Sequence, residues 1–160
     1  MKLLLDTIER FPDKQLVIKI RPFDPVDIRA LINGRLKSYP NVFIIKDANP
    51  WALINCSSLV ITSRFSSIAL DALLLDKPVI TLNFYKRKEL IPFAKRGVAL
   101  NVDRPGDLYG VVKQVFEDDK LRDRLTLNRK GFIYDYGYKI DGKSEERIVD
   151  LIKKMYSESI

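Results

Sequence analysis

Short apolar runs alternate along this chain with segments in which apolar residues recur every three or four positions. The runs predict strands at 15–21, 41–45, 59–62, 78–82 and 97–102. The periodic segments predict helices at 3–11, 24–36, 50–54, 66–75, 105–116, 121–127 and 144–152, with a loop and a short helix at 83–97. Since the strands are apolar on both faces, we predict an α/β fold with a doubly wound, mostly parallel sheet of about five to six strands.

The length and composition favour one domain over residues 1–160. The chain is 46% hydrophobic and 31% charged, which is typical of a globular protein with a sizeable core. We find no internal repeat and no low-complexity tract. The expected unit is therefore a single domain.

The chain contains no histidine and one cysteine, Cys56. A histidine general base, a histidine-bearing zinc site, a disulfide framework and a cysteine metal cluster are therefore excluded within it. No metal and no cofactor are expected. Proton transfers would use Asp, Glu, Lys or Tyr, or a residue from another chain or domain.

The net charge of +7 favours an anionic partner. Nucleic acid, an acidic lipid surface and a phosphorylated small molecule all fit this charge. No apolar run reaches the length of a membrane span, and Asp6 and Glu9 interrupt the apolar start before a signal peptide can form. We expect a cytoplasmic protein.

The best candidate site lies where the third predicted strand meets its helix, because ligands of such sheets bind beyond the carboxyl ends of the strands. Ser66 and Ser67 begin the helix and can bind phosphate, with Arg64 adding charge. Asp71, one turn further, can accept both hydroxyls of a ribose. The alternative is that Ser66 only caps the helix and Asp71 is a solvated polar residue.

Lys19 and Arg21 form a second candidate, at the end of the first predicted strand. They are two residues apart, so their side chains share one face of the strand. Such a pair could clamp a diphosphate and stabilise charge on it. The alternative is a pair of solvated residues at the edge of the sheet.

Three further patterns have weaker functional interpretations. The basic run 85–88 follows the fourth strand, where it could shape a sugar pocket or form a solvated face. Trp51 and Phe43 could stack on a base, and a core role fits each as well. The alternating tyrosines of 134–138 could contact nucleic acid, but we favour an extended segment that packs its rings on the domain.

Four segments, in order, resemble known proteins. Segment 66–80, together with the strand before it, is similar to the nucleotide-binding segment in the C-terminal half of GT-B fold transferases. The most similar groups are the CDP-glycerol glycerophosphotransferase-like and UDP-N-acetylglucosamine 2-epimerase-like ones. Segments 17–22, 105–108 and 141–148 also resemble these proteins, and the likeness covers nearly all of the chain.

The resemblance implies a role for each candidate residue. It assigns Ser66 and Ser67 to the diphosphate and Asp71 to the ribose. Two positions depart from the pattern: Arg21 replaces a common histidine, and Ser66-Ser67 replaces the Gly-Gly of the epimerases. The first departure argues against epimerase chemistry, and the second agrees better with the glycerophosphotransferase-like group.

The resemblance therefore implies the Rossmann-like, donor-binding half of a glycosyl or glycerophosphoryl transferase of surface polysaccharide or glycan biosynthesis. The donor would be UDP- or CDP-linked. An N-terminal domain or partner subunit, absent here, would supply the acceptor site and the catalytic base, and the enzyme could associate peripherally with an acidic membrane. The alternatives are a regulatory or scaffold module without catalysis, an epimerase-like enzyme and, last in rank, a nucleic-acid-binding protein.

Overall fold

A computed structural model describes residues 1–21, 38–63 and 66–158. The strands are β1 (Leu16–Lys19), β2 (Val42–Ile45), β3 (Val60–Ser63), β4 (Val79–Leu82) and β5 (Leu100–Val102). The α-helices are α1 (Lys2–Ile8), α2 (Pro50–Cys56), α3 (Ile68–Leu74), α4 (Leu108–Glu117), α5 (Asp119–Gly137) and α6 (Ser144–Ser157). A short 3-10 helix, Pro105–Asp107, leads into α4. The helix predicted at 24–36 lies outside the described residues.

All pairs among the described strands are parallel, which confirms the predicted α/β class. The described strands form a two-stranded sheet, β1-β2, and a three-stranded sheet, β3-β4-β5. Leu16 lies opposite Val42 in the first sheet, and Val60 lies opposite Val79 in the second. The strands therefore form two sheets, where the sequence pattern predicted one.

Helices cover both faces of the three-stranded sheet. On one face, apolar residues of α2, α3 and α5 surround Val79, and Phe93 and Phe132 are fully buried among them. On the other face, α4 and residues of α1 pack over Ile80 and Val102. β4 is paired on both edges, and its residues from Val79 to Thr81 are fully buried. This is the double winding that the apolar strands predicted.

Local side-chain hydrogen bonds set several helix ends. The Asn49 side chain accepts the amides of Trp51 and Ala52 and starts α2, with Pro50 in the first turn. The Asp118 side chain accepts the amide of Leu121 and starts α5. These are the positions at which a polar side chain can satisfy amides that have no partner within the helix.

Three local predictions were wrong. No helix forms within 83–97, which consists of turns in the described structure. The helix predicted at 121–127 is part of the longer α5, so the tyrosines of 134–138 lie at a helix end and not in an extended segment. Tyr136 does pack as expected, since its ring stacks on buried Phe132 at 4.4 Å. Alternating aromatic residues suggested a strand, but the packing of α5 determined the conformation.

The last helix, α6, has no buried residue. Its N-terminal end is joined to the preceding turn by Arg147, whose guanidinium donates to both carboxylate oxygens of Asp141 at 2.9 Å. Hydrogen bonding by the Lys143 amide and Arg147 lowers the pKa of Asp141 below its usual value. Within the residues that the structure describes, no helix is both long and apolar enough to cross a membrane.

Candidate functional site

The candidate residues lie at the carboxyl ends of β1 and β3. Lys19 is the last residue of β1, and Ser66 and Ser67 stand between the end of β3 and the first residue of α3. Asp71 is in the first turn of α3. This is the end of a parallel sheet at which α/β proteins bind ligands.

The two serine hydroxyls are not used as helix caps. Ser67 holds the N-cap position of α3, with helical backbone angles, and its side chain makes no capping hydrogen bond. The serine carbonyls take part in the first turn, because Ser66 O accepts the Ala69 amide and Ser67 O accepts the Leu70 amide. Among the described residues, neither hydroxyl has a hydrogen-bond partner. Within the described part of the chain, the capping alternative is thus unsupported.

Asp71 is a half-buried carboxylate. Burial raises its pKa above the usual aspartate value. Its carboxylate makes no hydrogen bond or ion pair with any residue in the described ranges, although its backbone carbonyl accepts the Leu75 amide. A carboxylate that loses water without gaining a protein partner is destabilised, and ligand hydroxyl groups would relieve that cost.

The two cations lie near the carboxyl end of β1. Lys19 is its last residue, and the exposed Arg21 follows Ile20, whose amide still donates to the Ile45 carbonyl of β2. That the two side chains share one face stays a prediction. Lys19 Nζ donates to the carbonyl of Ile20 at 2.7 Å. Neither cation has a described contact with Ser66, Ser67 or Asp71. Arg64, the other predicted phosphate ligand, lies outside the described residues.

The basic run 85–88 lies in the loop after β4 and is exposed to solvent. Asn83 fixes the loop because its Oδ1 accepts the Arg87 amide at 3.0 Å and its Nδ2 donates to the Arg87 carbonyl at 3.1 Å. Tyr85 is 85% exposed, and the Arg87 guanidinium lies 5.6 Å from its ring centre. A solvated face is therefore the observed state of this run, and the sugar-pocket role stays a prediction.

The two candidate stacking rings lie at the surface. Trp51, in the first turn of α2, is 46% exposed, and Phe43, in the middle of β2, is 43% exposed. The core alternative is therefore wrong for both. Trp51 follows the carboxyl end of β2, on the candidate side of the sheets.

The structure adds a polar chain that the sequence pattern did not reveal. The hydroxyl of fully buried Thr81 donates to Asn101 Oδ1 at 3.1 Å, and Asn101 Nδ2 donates to Asp103 Oδ1 at 2.7 Å. The chain runs from β4 to the carboxyl end of β5. The signal for it was the single polar residue, Asn101, inside an apolar strand.

Two further observations concern where a ligand or a metal ion could bind. A cavity of about 390 Å³ is lined by residues that include Ser57, Lys77, Arg122 and Arg129. It lies at the amino ends of β3 and β4, opposite the candidate residues. Within the described ranges, no group of three acidic or cysteine residues is arranged to hold a metal ion.

Solved structures similar to this chain include a UDP-N-acetylglucosamine 2-epimerase, a protein with UDP and a glycosyltransferase. A protein described as a UDP-N-acetylglucosamine 2-epimerase from Listeria monocytogenes matches with a TM-score of 0.74 and 17% identity, over 98% of this chain and 39% of its own. The S. aureus MnaA-UDP structure matches with a TM-score of 0.72 and 21% identity, over 98% and 40%. The glycosyltransferase of kitacinnamycin matches with a TM-score of 0.68 and 20% identity, over 96% and 38%.

No protein-family model and no curated protein matches this sequence. The chain spans about two fifths of the length of the three solved structures. At these identities the likeness shows the fold. The protein therefore has the fold of one Rossmann-like half of a GT-B protein.

Proposed function

We propose that this chain binds the nucleotide diphosphate part of a nucleotide-linked donor, as one half of a two-domain glycosyl or glycerophosphoryl transferase. One observation carries the proposal. The hydroxyls of Ser66 and Ser67 make no hydrogen bond within the described residues, and they lie one turn before the half-buried Asp71, beyond the carboxyl end of β3. Hydroxyls and a desolvated carboxylate match the two parts of a nucleotide diphosphate, since phosphate oxygens accept hydrogen bonds and ribose hydroxyls donate them.

Each candidate residue has one role in this proposal. Ser66 and Ser67 donate to the diphosphate, and the ionised Asp71 accepts from the ribose hydroxyls. Lys19 ends β1 and Arg21 follows it, and their charge would attract the diphosphate. The guanidinium of Arg64 would add to that charge.

The likeness to solved structures supports the proposal at the level of fold. One of these structures contains UDP, and this chain matches it over 98% of its own residues. Because the chain corresponds to about two fifths of those proteins, we propose that the acceptor site and the catalytic base belong to a second domain or subunit. With no histidine in this chain, we expect it to bind nucleotide and to turn over nothing by itself.

A UDP-N-acetylglucosamine 2-epimerase-like enzyme is the second candidate. It is favoured by the epimerases among the similar structures, which match as well as the glycosyltransferase does. The two candidates share the nucleotide-holding residues and differ in the reaction, and the epimerase differs from a glycerophosphotransferase also in the donor. An epimerase of this kind requires UDP, whereas a glycerophosphotransferase of the resembling group requires CDP.

Titration calorimetry of the chain with UDP, CDP and GDP tests the proposal. We expect one diphosphate to bind in preference to the others. A preference for CDP favours the glycerophosphotransferase, whereas a preference for UDP fits both a glycosyltransferase and the epimerase-like candidate. Ser67→Ala and Asp71→Asn should each weaken binding about tenfold, as expected for the loss of a hydrogen bond to a charged group.

Two control variants match these changes. Ser58→Ala removes a hydroxyl at the opposite end of β3, and Asp123→Asn removes an exposed carboxylate on α5. Both should leave affinity unchanged. If the site and control variants had equal effects, or if no diphosphate bound, the result would contradict the proposal and favour the regulatory or scaffold alternative. Transferase activity of the chain alone would contradict the proposal that the acceptor site and the catalytic base belong to a second domain or subunit.

A further inference from the structure

The cavity of about 390 Å³ at the amino ends of β3 and β4 is lined mainly by positive charge. Its volume falls within the range of small-molecule sites, roughly 300–1,000 Å³. The charged residues that line it are Asp76, Lys77, Arg122 and Arg129. Three cations and one carboxylate give the cavity an excess of positive charge, which attracts an anionic ligand.

One face of α5 supplies most of this lining. Arg122, Thr126 and Arg129 are separated by four and three residues, so their side chains lie on the same face of the helix. The Nη1 atom of Arg122 donates to two carbonyls at the end of α4 at 2.8 Å, and its Nη2 pairs with Asp119. Arg122 therefore contributes mainly charge to the cavity.

Arg129 is the buried cation of the cavity, with a side chain that is 6% exposed. Its Nη2 donates to the Asp76 carboxylate and, at 3.1 Å, to Thr126 Oγ1. Among the described residues, its Nε and Nη1 have no hydrogen-bond acceptor. Buried donors are nearly always paired, and a charged donor is costly when it is not. An anion in the cavity would supply the missing acceptors.

Thr126 and Lys77 each offer a further donor. The Thr126 oxygen accepts from Arg129, so the hydroxyl proton can be donated to a ligand. Lys77 lies in the turn between α3 and β4, and its ammonium forms no hydrogen bond or ion pair with any residue in the described ranges. The cavity thus has donors on two of its sides, from α5 and from the turn.

From this lining we infer that the cavity binds a phosphate group, either as inorganic phosphate or as the monoester of a small molecule. The unpaired donors of Arg129, the Thr126 hydroxyl and the Lys77 ammonium would each bind a phosphate oxygen. A tetrahedral anion presents enough oxygens for donors on two sides, whereas a carboxylate presents only two in one plane. The inference does not rest on the proposed function, because the cavity lies at the opposite end of the sheet.

A residue-resolved NMR titration of the chain with inorganic phosphate tests the inference. Sodium chloride keeps the ionic strength constant, so that general attraction to a basic protein does not change. We expect saturable shifts at the amides of Lys77 and Thr126, and about tenfold weaker binding in Lys77→Gln. The control, Lys153→Gln, removes an exposed lysine of α6 and should leave the affinity unchanged. Shifts that do not saturate, or equal effects of the two variants, would overturn the inference.

Asp76→Asn tests the role of Arg129 without removing it. The Asp76 carboxylate pairs with the same guanidinium and repels an anion beside it. The substitution should therefore strengthen phosphate binding about tenfold, an effect that a purely structural ion pair would not produce. Unchanged or weaker binding would contradict the assignment of Arg129 as a phosphate ligand.

A third titration distinguishes the two sources of the phosphate group. Tighter binding of glucose 6-phosphate than of inorganic phosphate would indicate a monoester, and the reverse order would indicate the free ion. Glucose itself should cause no shift at Lys77 or Thr126, and equal binding of glucose would overturn the inference. A nucleotide at the proposed site is expected to shift Ser67 and Asp71 instead, so the two proposals fail independently. Phosphate shifts confined to Ser67 and Asp71 would likewise refute the cavity as a phosphate site.

Discussion

Asp76 and Arg129 form an ion pair in which only one partner is buried: the Arg129 side chain is 6% exposed and the Asp76 side chain is 78% exposed. The pair joins the end of α3 to the middle of α5. Asp76 has a φ of 63°, a conformation that favours glycine, because it ends α3 while Lys77 N donates back to Ala72 O. Burial lowers the pKa of Arg129, which nevertheless stays charged.

This asymmetry predicts unequal effects of removing each partner. Asp76→Asn tolerates the same backbone conformation but leaves a buried cation without its counter-charge, so we expect a loss of about 1–3 kcal/mol in the free energy of unfolding. Arg129→Met leaves only an exposed carboxylate, which water can solvate, and fills the same space; it should cost less. Urea denaturation of both variants checks the order. A larger loss for Arg129→Met would mean that packing, not charge, dominates at this contact.

Gly97 predicts a second stability effect, at the turn before β5. Its φ is 64°, and a Cβ there would meet Asn128 Nδ2 of α5 at 2.7 Å. That Asn128 nitrogen donates to the Gly97 carbonyl at 3.1 Å, so movement to avoid the clash disturbs a hydrogen bond. Gly97→Ala should therefore lower the free energy of unfolding by about 1–2 kcal/mol.

Gly131 provides the matched control for that change. It lies within α5, and an added Cβ there would have nothing within 4 Å. Gly131→Ala should raise the free energy of unfolding by about 0.5–1 kcal/mol, since alanine favours the helix. Thermal or urea denaturation measures both. Effects of the same sign would contradict the assigned role of the Gly97 conformation.

The raised pKa of Asp71 predicts opposite effects on binding and stability. Only the ionised carboxylate accepts from both ribose hydroxyls, so nucleotide affinity should fall as the pH drops through this raised pKa, earlier than for an ordinary aspartate. For stability the sign is reversed: the folded state holds the proton more tightly than the unfolded state does. Ionisation therefore costs stability above the unfolded pKa.

Asp71→Asn separates the two effects. It should remove the acid-side fall in affinity and leave the protein at least as stable as the parent at neutral pH. Calorimetry across pH, combined with urea denaturation at neutral pH, provides both measurements. A clear loss of stability in Asp71→Asn would show that the carboxylate supports the fold and would remove the argument for a ligand-binding role.

Local sequence signals predicted most elements because the relevant interactions are local. Asn49-Pro50 predicts the start of α2, and the structure shows the Asn49 side chain bound to the first amides of that helix. The apolar runs of β1 to β5 predict parallel strands with helices on both faces. For the site, the sequence placed Ser67 and Asp71 at the start of α3, and the structure places them there as well. Their role in binding stays a prediction.

The errors come from interactions between distant residues. The tyrosines of 134–138 alternate as in a strand, yet they continue the helix α5, whose Phe132 packs against the distant Phe93 at 5.5 Å. Thr81 bonding to Asn101 requires β4 to lie beside β5, which neither run encodes alone.

The sequence by itself determined the class of fold, the positions of the five described strands and of most described helices, and the absence of histidine from any chemistry in this chain, because periodicity and composition are local properties. Only the tertiary structure decided that Asp71 is half-buried, that Trp51 and Phe43 are at the surface, and that the strands fall into two sheets with α1 over both. Burial and strand order depend on which distant segments pack together, and no single segment of the sequence determines that packing.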